Sequence, residues 1–403
     1  MLQRLLAIGF IFVCTSFAWG ILGGTILSRT DSSDSRLRGR VQSVWGVAQV
    51  QQAPAAEFAV AADHGKRSRI VTVVPESSDV AAELALEYRQ KGLLWYSTYK
   101  VDFGGDYTFR NPDTAARAVQ FTLRFPATQA LYDGLQFLVD GRAVAPVIDA
   151  ERAYVRVDLA PRQSARLHVA YRSQGIDTWR YSFGERVNPV RNFHLRMSTD
   201  FADIDFPDNT LAPTAKRRAG SGWQLDWDYQ NLLSGYQIGM DLPAKLQPGP
   251  LASQISFFAP VSLFFFFFAI FLITATRNTE LHPMNYFFLA AAFFAFHLLF
   301  AYMVDHVSLY VSFATASLVS IVLVVSYLRV VVGPRFAFRE AALAQLVYLV
   351  LFSFAFFFQG FTGLTITIGS ILTLFAAMQM TSRVRWAEKF RRPGVPPPLP
   401  AQS

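Results

Sequence analysis

The chain has 403 residues, of which 52% are hydrophobic and only 16% are charged, whereas charged residues make up about 25% of an ordinary soluble domain. The apolar residues are concentrated at 5–27 and 255–380, and the stretch between them has the composition of a soluble domain. This asymmetry excludes a wholly soluble protein and predicts a membrane protein with a large extramembrane domain. The single cysteine, Cys14, excludes a disulfide within the chain and a zinc site built on several cysteines.

Six apolar segments are long enough to cross a bilayer, which takes about 20 residues of helix. These segments lie at 5–27, 255–275, 283–304, 307–328, 341–359 and 361–380. The first one is longer than the apolar region of a usual signal peptide, and no typical cleavage site follows it. We therefore expect it to remain in the protein as an N-terminal transmembrane anchor.

The basic residues predict the direction of these spans. Outside the intermediate domain they lie before the first span, after the second, after the fourth and after the last: Arg4, Arg277, Arg329, Arg335, Arg339, Arg383, Arg385, Lys389, Arg391 and Arg392. The two alternate loops, at 305–306 and around Gly360, carry no Lys or Arg. The positive-inside rule predicts that both termini are cytoplasmic and that the large domain lies outside, in the periplasm of a bacterium. The net charge of +8 then reflects topology, and we expect no nucleic-acid partner.

Residues 118–245 carry segments that are typical of β-strands. The segment "VQFTLRF" at 119–125 alternates apolar and polar residues, and Asp140-Gly141 predicts a hairpin turn. Short aromatic strands separated by turn residues predict a mainly-β, sandwich-like domain. The segment 79–92 has Ala, Leu and Glu at helical spacing, which predicts a short helix there.

The chain is therefore expected to consist of four regions. Residues 1–28 form the N-terminal transmembrane anchor, and residues 29–250 form the periplasmic β-rich domain. Residues 251–382 form a C-terminal bundle of about five transmembrane helices. Residues 383–403 form a basic, proline-rich cytoplasmic tail that is expected to be disordered.

Recognised motifs of catalysis are absent from the sequence. There is no nucleophile elbow, phosphate loop, dinucleotide fingerprint or zinc-protease pair of histidines, so we expect no catalytic residues, no cofactor and no metal. The acidic run 199–209 offers several aspartates to calcium, but it lacks the glycine and the final glutamate of an EF-hand and is better explained as a solvated turn. We expect His168 to be a surface residue and His194 to be structural.

Two features of the predicted spans suggest how they pack. His297 is the one side chain well within a span that titrates near neutral pH, and it either packs against a neighbouring helix or has a function. No Asp, Glu, Lys or Arg lies within a span to pair with it, which speaks against a proton-coupled transporter. Ser312, Ala316 and Ser320 are spaced four residues apart, a row of small side chains that predicts close helix packing.

The polar loop 276–282 separates the second and third spans and is expected to be a cytoplasmic turn. Pro283 suits the first position of a helix, because the N–H that it lacks has no partner there. Thr279 is a candidate for capping this helix. His282 would lie at the level of the lipid headgroups, either as part of a plain turn or with a pH-sensitive or lipid-facing role.

The second half of the chain carries three motifs in a fixed order: a Leu-His-Pro-x-x-Tyr segment, an acid–histidine pair and a small-residue span that ends in Tyr-Leu. In this sequence these residues are Leu281, His282, Pro283, Tyr286, Asp305, His306, Tyr327 and Leu328. With these motifs the chain resembles the CreD family of bacterial inner-membrane proteins.

The first half of the chain shows a weaker form of the same resemblance. Trp45, Gly46 and Gln49 are similar to a W-G-x-x-Q segment of that family, and Lys91, Gly92 and Leu93 align with a later segment. The resemblance implies an inner-membrane protein with a large periplasmic domain that is linked to envelope integrity and to control by a two-component system. It supplies no set of catalytic residues.

Three functions therefore remain open at the level of the sequence. The first is a non-enzymatic protein that supports envelope integrity in the stress response, in contact with the lipid bilayer, whose β-domain binds an envelope component or another membrane protein. The second is a membrane receptor for a periplasmic ligand, which would need a separate signalling partner because the predicted tail is too short for an output domain. The third is a transporter or a lipid-handling protein, against which the scarcity of intramembrane charge speaks.

Overall fold

The computed structural model describes residues 2–60, 69–91, 94–184, 187–277, 279, 281–358 and 360–382, without the side chains of Leu2 and Asn188. The chain divides into two compact units. We call Met1–Asp34 with Leu246–Ser403 the membrane unit, and Ser35–Lys245 the β unit. The expected region boundaries at 28/29 and 250/251 remain predictions. Predicted features at Gly92, Leu93 and the tail 383–403 lie outside the described residues.

The first helix is longer than the predicted anchor. Helix α1 runs over Leu2–Trp45, which is 44 residues, whereas a bilayer core takes about 20. The apolar segment 5–27 forms its first part, and the helix continues through a polar stretch that contains no proline. It ends where Gly46 adopts a φ of +117° and donates its N–H to the carbonyl oxygen of Gln42 at 2.9 Å, which is a common way for glycine to end a helix.

Five more helices complete the described part of the membrane unit. They are α2 (Pro248–Thr276), α3 (Pro283–Met303), α4 (Leu309–Val331), α5 (Phe336–Phe357) and α6 (Thr362–Thr381). Together with α1 they are six helices, each long and apolar enough to cross a membrane, as the sequence predicts. Their apolar side chains form one buried cluster, which includes Trp19, Phe266, Phe293 and Phe300.

Helix α5 is irregular and begins earlier than its predicted start at residue 341. It contains two π-helical turns, Phe336–Ala341 and Leu346–Leu351. Each such turn displaces the regular backbone hydrogen bonds, and π turns inside α-helices are frequently found at functional sites. In the second turn, the hydroxyl of Ser262 from α2 donates to the carbonyl oxygen of Tyr348.

The row of small residues on α4 packs as predicted. Ser312, Ala316 and Ser320 are all fully buried. The hydroxyl of Ser320 donates to the carbonyl oxygen of Ala292 on α3 at 2.7 Å and accepts from Nε2 of Gln345 on α5 at 2.8 Å. Small side chains thus let three helices approach one another closely enough for direct hydrogen bonds.

The β unit is mainly-β, which confirms the coarse fold prediction. Its described strands are β1 (Gln49–Gln52), β2 (Ala55–Val60), β3 (Arg69–Val73), β4 (Ser77–Lys91), β5 (Leu94–Arg110), β6 (Arg117–Arg124), β7 (Tyr132–Val139), β8 (Arg142–Ala143), β9 (Val147–Ile148), β10 (Arg152–Leu159), β11 (Ser164–Ile176), β12 (Thr178–Ser182), β13 (Asn188–Thr199), β14 (Ala215–Ala219), β15 (Gly222–Ser234) and β16 (Ile238–Asp241). They form an eight-stranded sheet in the order β14-β15-β13-β4-β5-β11-β7-β8, a five-stranded sheet in the order β3-β2-β6-β10-β9 and a three-stranded sheet in the order β1-β12-β16. Strands therefore begin well before residue 118, where the sequence first indicated them.

The predicted helix at 79–92 is wrong, because this segment is most of strand β4. Val80, Ala82 and Leu84 are buried, and the residues between them are exposed. This alternation is the period of a strand, and β4 pairs along its whole length with β5 and in parallel with β13. Pairing on both sides outweighs the helical propensity of Ala, Leu and Glu, which amounts to a few tenths of a kcal/mol per residue. The predicted hairpin turn at Asp140-Gly141 is present, and both residues have positive φ.

One buried core joins the three sheets of the β unit. The rings of Phe109 and Phe121 are 5.5 Å apart and link the eight-stranded sheet to the five-stranded sheet. Phe103 and Trp179, 6.4 Å apart, link the eight-stranded sheet to the three-stranded sheet. The β unit has no cysteine, so this core has to stabilise it without a disulfide.

A buried carboxylate connects strands on the outer part of the eight-stranded sheet. Asp226 on β15 is only 6% exposed. Its oxygens lie 3.0 Å from Arg217, 3.4 Å from Arg196 and 3.9 Å from His194. Burial opposes ionisation, but hydrogen bonds from Arg217, Gln224 and Arg196 outweigh it and lower the pKa of Asp226.

We predict that Asp226→Asn destabilises the β unit by about 1–3 kcal/mol, because it removes charge-assisted hydrogen bonds from a buried site. Because the pKa of Asp226 is lower in the folded than in the unfolded protein, its ionised carboxylate stabilises the folded state at pH values above the unfolded pKa of about 3.9. This stabilisation is lost as the pH falls through the folded pKa. Urea unfolding of the full-length protein at a series of pH values should therefore show a larger loss of stability for the variant at pH 7 than at pH 3. Asp228→Asn, on an exposed neighbour, is the control, and an equal loss at both pH values would contradict the prediction.

Candidate functional site

The Leu-His-Pro segment forms the start of helix α3. Leu281 is buried, and His282 is exposed and occupies the capping position, where its Nδ1 accepts from the backbone N–H of Met284 at 3.3 Å. Pro283 occupies the first helical turn, as predicted. His282 therefore caps this helix, and the expectation that Thr279 does so is wrong. His282 directly precedes the helix, so its imidazole nitrogen can accept a hydrogen bond from an unpaired N–H group of the first turn. Thr279 lies three residues earlier in the chain and does not cap the helix.

The following turn of α3 is joined to two other helices. The hydroxyl of Tyr327 on α4 donates to Oδ1 of Asn285 at 2.8 Å. The ring of Tyr286 is fully buried and meets the edge of Phe267 on α2 at 5.2 Å. Residues 281–286 thus fix the relative positions of α2, α3 and α4, which gives the segment a structural role.

The acid–histidine pair lies in the turn between α3 and α4, and its two members have different surroundings. Asp305 forms an ion pair with Arg29 of α1 at 2.8 Å. Arg29 also donates to the carbonyl oxygen of Ala301 at 3.1 Å. His306 is exposed. The aspartate therefore attaches α1 to the end of α3, and the histidine has no part in this contact.

His297 is buried within the membrane unit. Its Nδ1 lies 3.0 Å from the carbonyl oxygen of Phe293, one turn earlier on the same helix. Its ring meets those of Trp19 at 5.7 Å and Phe296 at 4.9 Å. Of the two roles open for His297, these contacts favour packing between α1 and α3.

Trp45 and Gly46 lie at the end of α1, in the part of the helix that belongs to the β unit. The guanidinium of Arg89 on β4 lies 3.7 Å from the centre of the Trp45 ring, a favourable cation–π arrangement. At Gly46 an added Cβ would come within 2.6 Å of the carbonyl oxygen of Gln174 on β11. Trp45 and Gly46 therefore connect helix α1 to the sheets, and only glycine fits at position 46.

The glutamine of the same segment is buried. Nε2 of Gln49 donates to the hydroxyl of Ser173 at 2.8 Å and to the carbonyl oxygen of Gln174 at 2.9 Å. Gln49 begins β1, which pairs in parallel with β12. The W-G-x-x-Q residues hence connect α1 to the three-stranded sheet, which gives them a structural role.

The β unit contains a pocket of about 560 Å³, which lies where strands of all three sheets approach one another. This volume is within the range of about 300–1,000 Å³ found for sites of small molecules. Both apolar and polar groups line it, among them Glu57, Arg124, Tyr181, Phe183, Arg191 and Phe193. The pocket is thus amphipathic and carries more positive than negative side chains.

An aromatic cluster forms one side of this pocket. Phe183 and Phe193 meet edge to face at 4.9 Å, and the ring of Tyr181 lies 5.8 Å from each. The hydroxyls of Tyr181 and Tyr107 are 3.1 Å apart. Burial raises the pKa of both phenols above the ordinary value, so both stay neutral and act as hydrogen-bonding groups.

The rim of the pocket contains an unusual backbone conformation. Asn192, between Arg191 and Phe193, has a φ of 43° in the middle of strand β13. Few residues other than glycine adopt this region, and such conformations cluster at functional sites. The amide of Asn192 donates to the carbonyl oxygen of Glu76 at 3.0 Å, which holds the rim in place.

The other candidates from the sequence are dispersed. His168 is half-buried and lies 3.2 Å from Asp106, and His194 lies beside Asp226. In the acidic run 199–209, a carboxylate oxygen of Asp200 accepts from the backbone N–H of Leu86. Among the described residues, no three His, Cys, Asp or Glu side chains lie close enough to hold a metal ion.

Two features of the molecule define its class, namely a set of apolar helices able to span a membrane and a large mainly-β unit. The family model described as "Inner membrane protein CreD" matches residues 194–387, slightly less than half of the chain. Over these residues the chain matches the model of the CreD inner-membrane family, which confirms the resemblance for this part of the sequence. The match covers the segments at 281–286 and 305–306, but not Trp45 and Gly46.

The comparison with solved structures gives only distant likenesses. A putative nutrient binding protein from Legionella pneumophila is 11% identical, with 62% of this chain and 84% of that chain covered and a TM-score of 0.34. An M1 zinc metallopeptidase from Deinococcus radiodurans is 13% identical, with 42% of each chain covered and a TM-score of 0.27. No curated protein matches the chain. Likenesses this remote carry no functional argument.

Several residues of these sites escaped the sequence analysis. Arg29 follows the first apolar segment and was not connected with Asp305, and Asn285 was not connected with Tyr327. Phe193 was predicted only as part of a strand, and Arg191 was not singled out. The polar residue within "HPMNY" was the available signal for Asn285, whereas nothing in the sequence brings the strands of the pocket together.

We predict that Gly46→Ala destabilises the β unit by about 1–3 kcal/mol, because Gly46 has a φ of +117° and an added Cβ would collide with the Gln174 carbonyl. Thermal unfolding of the full-length protein, followed by tryptophan fluorescence, measures this change. Gly104→Ala is the matched control, since its Cβ would meet no atom within 4 Å. Equal melting temperatures for wild type and Gly46→Ala would contradict the assignment.

Proposed function

We propose that this protein supports cell envelope integrity from the bacterial inner membrane, as a non-enzymatic component of the envelope stress response. In this proposal both termini are cytoplasmic, the β unit is periplasmic, and the β unit binds an envelope component or a partner protein. The distribution of Lys and Arg on alternate loops supports the orientation. The match to an inner-membrane family supports the location.

The observation that carries the binding role is the 560 Å³ pocket of the β unit. Its aromatic side offers apolar contact area, and the phenol of Tyr181 offers a hydrogen-bonding group at a low cost in side-chain entropy. Among the described lining residues, Arg124 and Arg191 are positively charged and Glu57 is negatively charged. A ligand with an apolar part and an anionic group fits this combination best.

The pocket also supports a binding role better than a catalytic one. Within the described ranges, its lining contains Glu57, Ser78 and Tyr181 but no histidine, cysteine or aspartate. A nucleophile with an adjacent base, or a pair of carboxylates, is the usual basis of hydrolytic chemistry. Neither arrangement occurs among the described residues of the pocket, which supports the non-enzymatic role.

The direct test is deletion of the gene in its host, followed by measurement of sensitivity to detergents and envelope-directed antibiotics. The proposal predicts that deletion increases sensitivity and that the wild-type gene restores resistance. A form that lacks residues 41–245 should fail to restore it, because it lacks the β unit. An unchanged sensitivity after deletion would contradict the proposal and favour a receptor for a periplasmic ligand.

Single substitutions locate the function within the protein. Arg191→Glu reverses a charge at the pocket and should fail to restore resistance, while Arg142→Glu, on an exposed residue elsewhere in the β unit, should restore it. His282→Ala should also restore resistance, because His282 serves as a helix cap whose loss costs about 1 kcal/mol. Protein levels in the membrane have to be equal for all variants. Full complementation by Arg191→Glu would separate the function from the pocket.

A further inference from the structure

A second cavity lies in the membrane unit, on the side where α2, α5 and α6 meet. It has a volume of about 380 Å³. Most of its lining is apolar and comes from all three helices, including Phe268, Leu272, Ala344, Val347, Ala377 and Met380. If these helices span the membrane, the groove faces lipid. Lipid tails are as apolar as the groove lining, so the apolar lining alone would not favour one ligand over another.

One end of this groove is charged. Arg339 and Glu340, on the first π-helical turn of α5, belong to its lining. Oε1 of Glu340 forms an ion pair with Arg277 at the end of α2. Oε2 of Glu340 is buried and accepts no hydrogen bond from any residue within the described ranges. The carboxylate of Glu340 is therefore held by Arg277, and of the lining residues Arg339 and Glu340 it is Arg339 that is exposed.

The irregularity of α5 shapes the groove. Arg339 and Glu340 belong to the first π-helical turn, and Val347 and Tyr348 belong to the second. The hydroxyl of Tyr348 donates to that of Thr373 on α6 at 3.1 Å. This hydrogen bond holds α6 beside α5, although α6 is otherwise largely exposed. The two π-helical turns and this hydrogen bond therefore define the shape of the cavity.

The size of the cavity selects the kind of occupant. A helix with its side chains is about 10–12 Å across, and a cavity of 380 Å³ is too small to take one. A flexible acyl chain with a polar head at one end matches both the apolar walls and the charged end. This argues for a lipid and against a second protein helix.

We propose that this groove binds phosphatidylglycerol, with an acyl chain between α2, α5 and α6 and the headgroup at Arg339 and Glu340. The phosphate is the acceptor that the Arg339 guanidinium binds best. Arg277, Arg339 and Glu340 together carry one net positive charge, which complements the single negative charge of this lipid. A zwitterionic headgroup leaves that charge uncompensated.

Native mass spectrometry of the full-length protein in a non-ionic detergent tests this proposal. The probes are phosphatidylglycerol, phosphatidylethanolamine and phosphatidylcholine with identical acyl chains, added one at a time. The wild-type protein is expected to retain one phosphatidylglycerol about tenfold more strongly than either zwitterionic lipid, which is the effect of one charge-assisted contact. Phosphatidylcholine lacks a headgroup donor, and phosphatidylethanolamine has a donor but no net charge.

Two variants with matched controls assign the binding to this groove. Arg339→Gln removes the charge and should weaken retention of phosphatidylglycerol about tenfold, whereas Arg329→Gln on α4, which does not line the groove, should leave it unchanged. Ala377→Phe fills the groove and should abolish selective retention. Ala314→Phe, on the exposed face of α4, is its control. Arg339 is exposed, so its variant remains informative if Ala377→Phe fails to fold.

Three results would overturn the proposal. The first is that the wild-type protein retains phosphatidylglycerol no more strongly than either zwitterionic lipid, which would show that charge plays no part. The second is unchanged selectivity in Arg339→Gln. The third is a stable dimer in place of the lipid adduct. None of these results bears on the pocket of the β unit, which is tested separately.

Discussion

The membrane unit is governed by one constraint, namely that backbone N–H and C=O groups in a bilayer must be paired within the protein. Helices satisfy this constraint, because their backbone groups pair within each helix. Side-chain hydrogen bonds between helices are then an important determinant of how the helices pack against one another. Ser320 joins α4 to α3 and α5, and Tyr327 joins α4 to Asn285 on α3. Arg29 and Asp305 attach α1 at the opposite end of α3.

The β unit solves a different problem, because it has to hold three sheets together without a disulfide. It does so with an aromatic core that includes Phe103, Phe109 and Trp179. The same aromatic core continues through the buried Phe193 to the half-buried Phe183, beside the pocket. The proposed binding site thus lies between the sheets, and Asn192, which follows the lining residue Arg191, has a positive φ there.

The sequence predicts the membrane helices well, because a long apolar run admits few other structures. Pro283 and the row from Ser312 to Ser320 behave as predicted, since their roles depend on local spacing. Strand β4 was wrongly predicted as a helix, because its pairing with β5 and β13 is not local and outweighed propensity. The two cavities could not be predicted either: one needs strands of three sheets, and the other needs the π-helical turns of α5.

The central claim is that the pocket of the β unit binds an envelope component in the cell. A photo-crosslinking amino acid at Val74, which lines the pocket and is 43% exposed, tests this claim most directly. The same group at Val147, which is 56% exposed on strand β9 away from the pocket, is the control. Irradiation of intact cells should give an adduct with an amphipathic, anionic envelope component at position 74 and none at 147. Identical adducts at both positions, or none at position 74, would contradict the account.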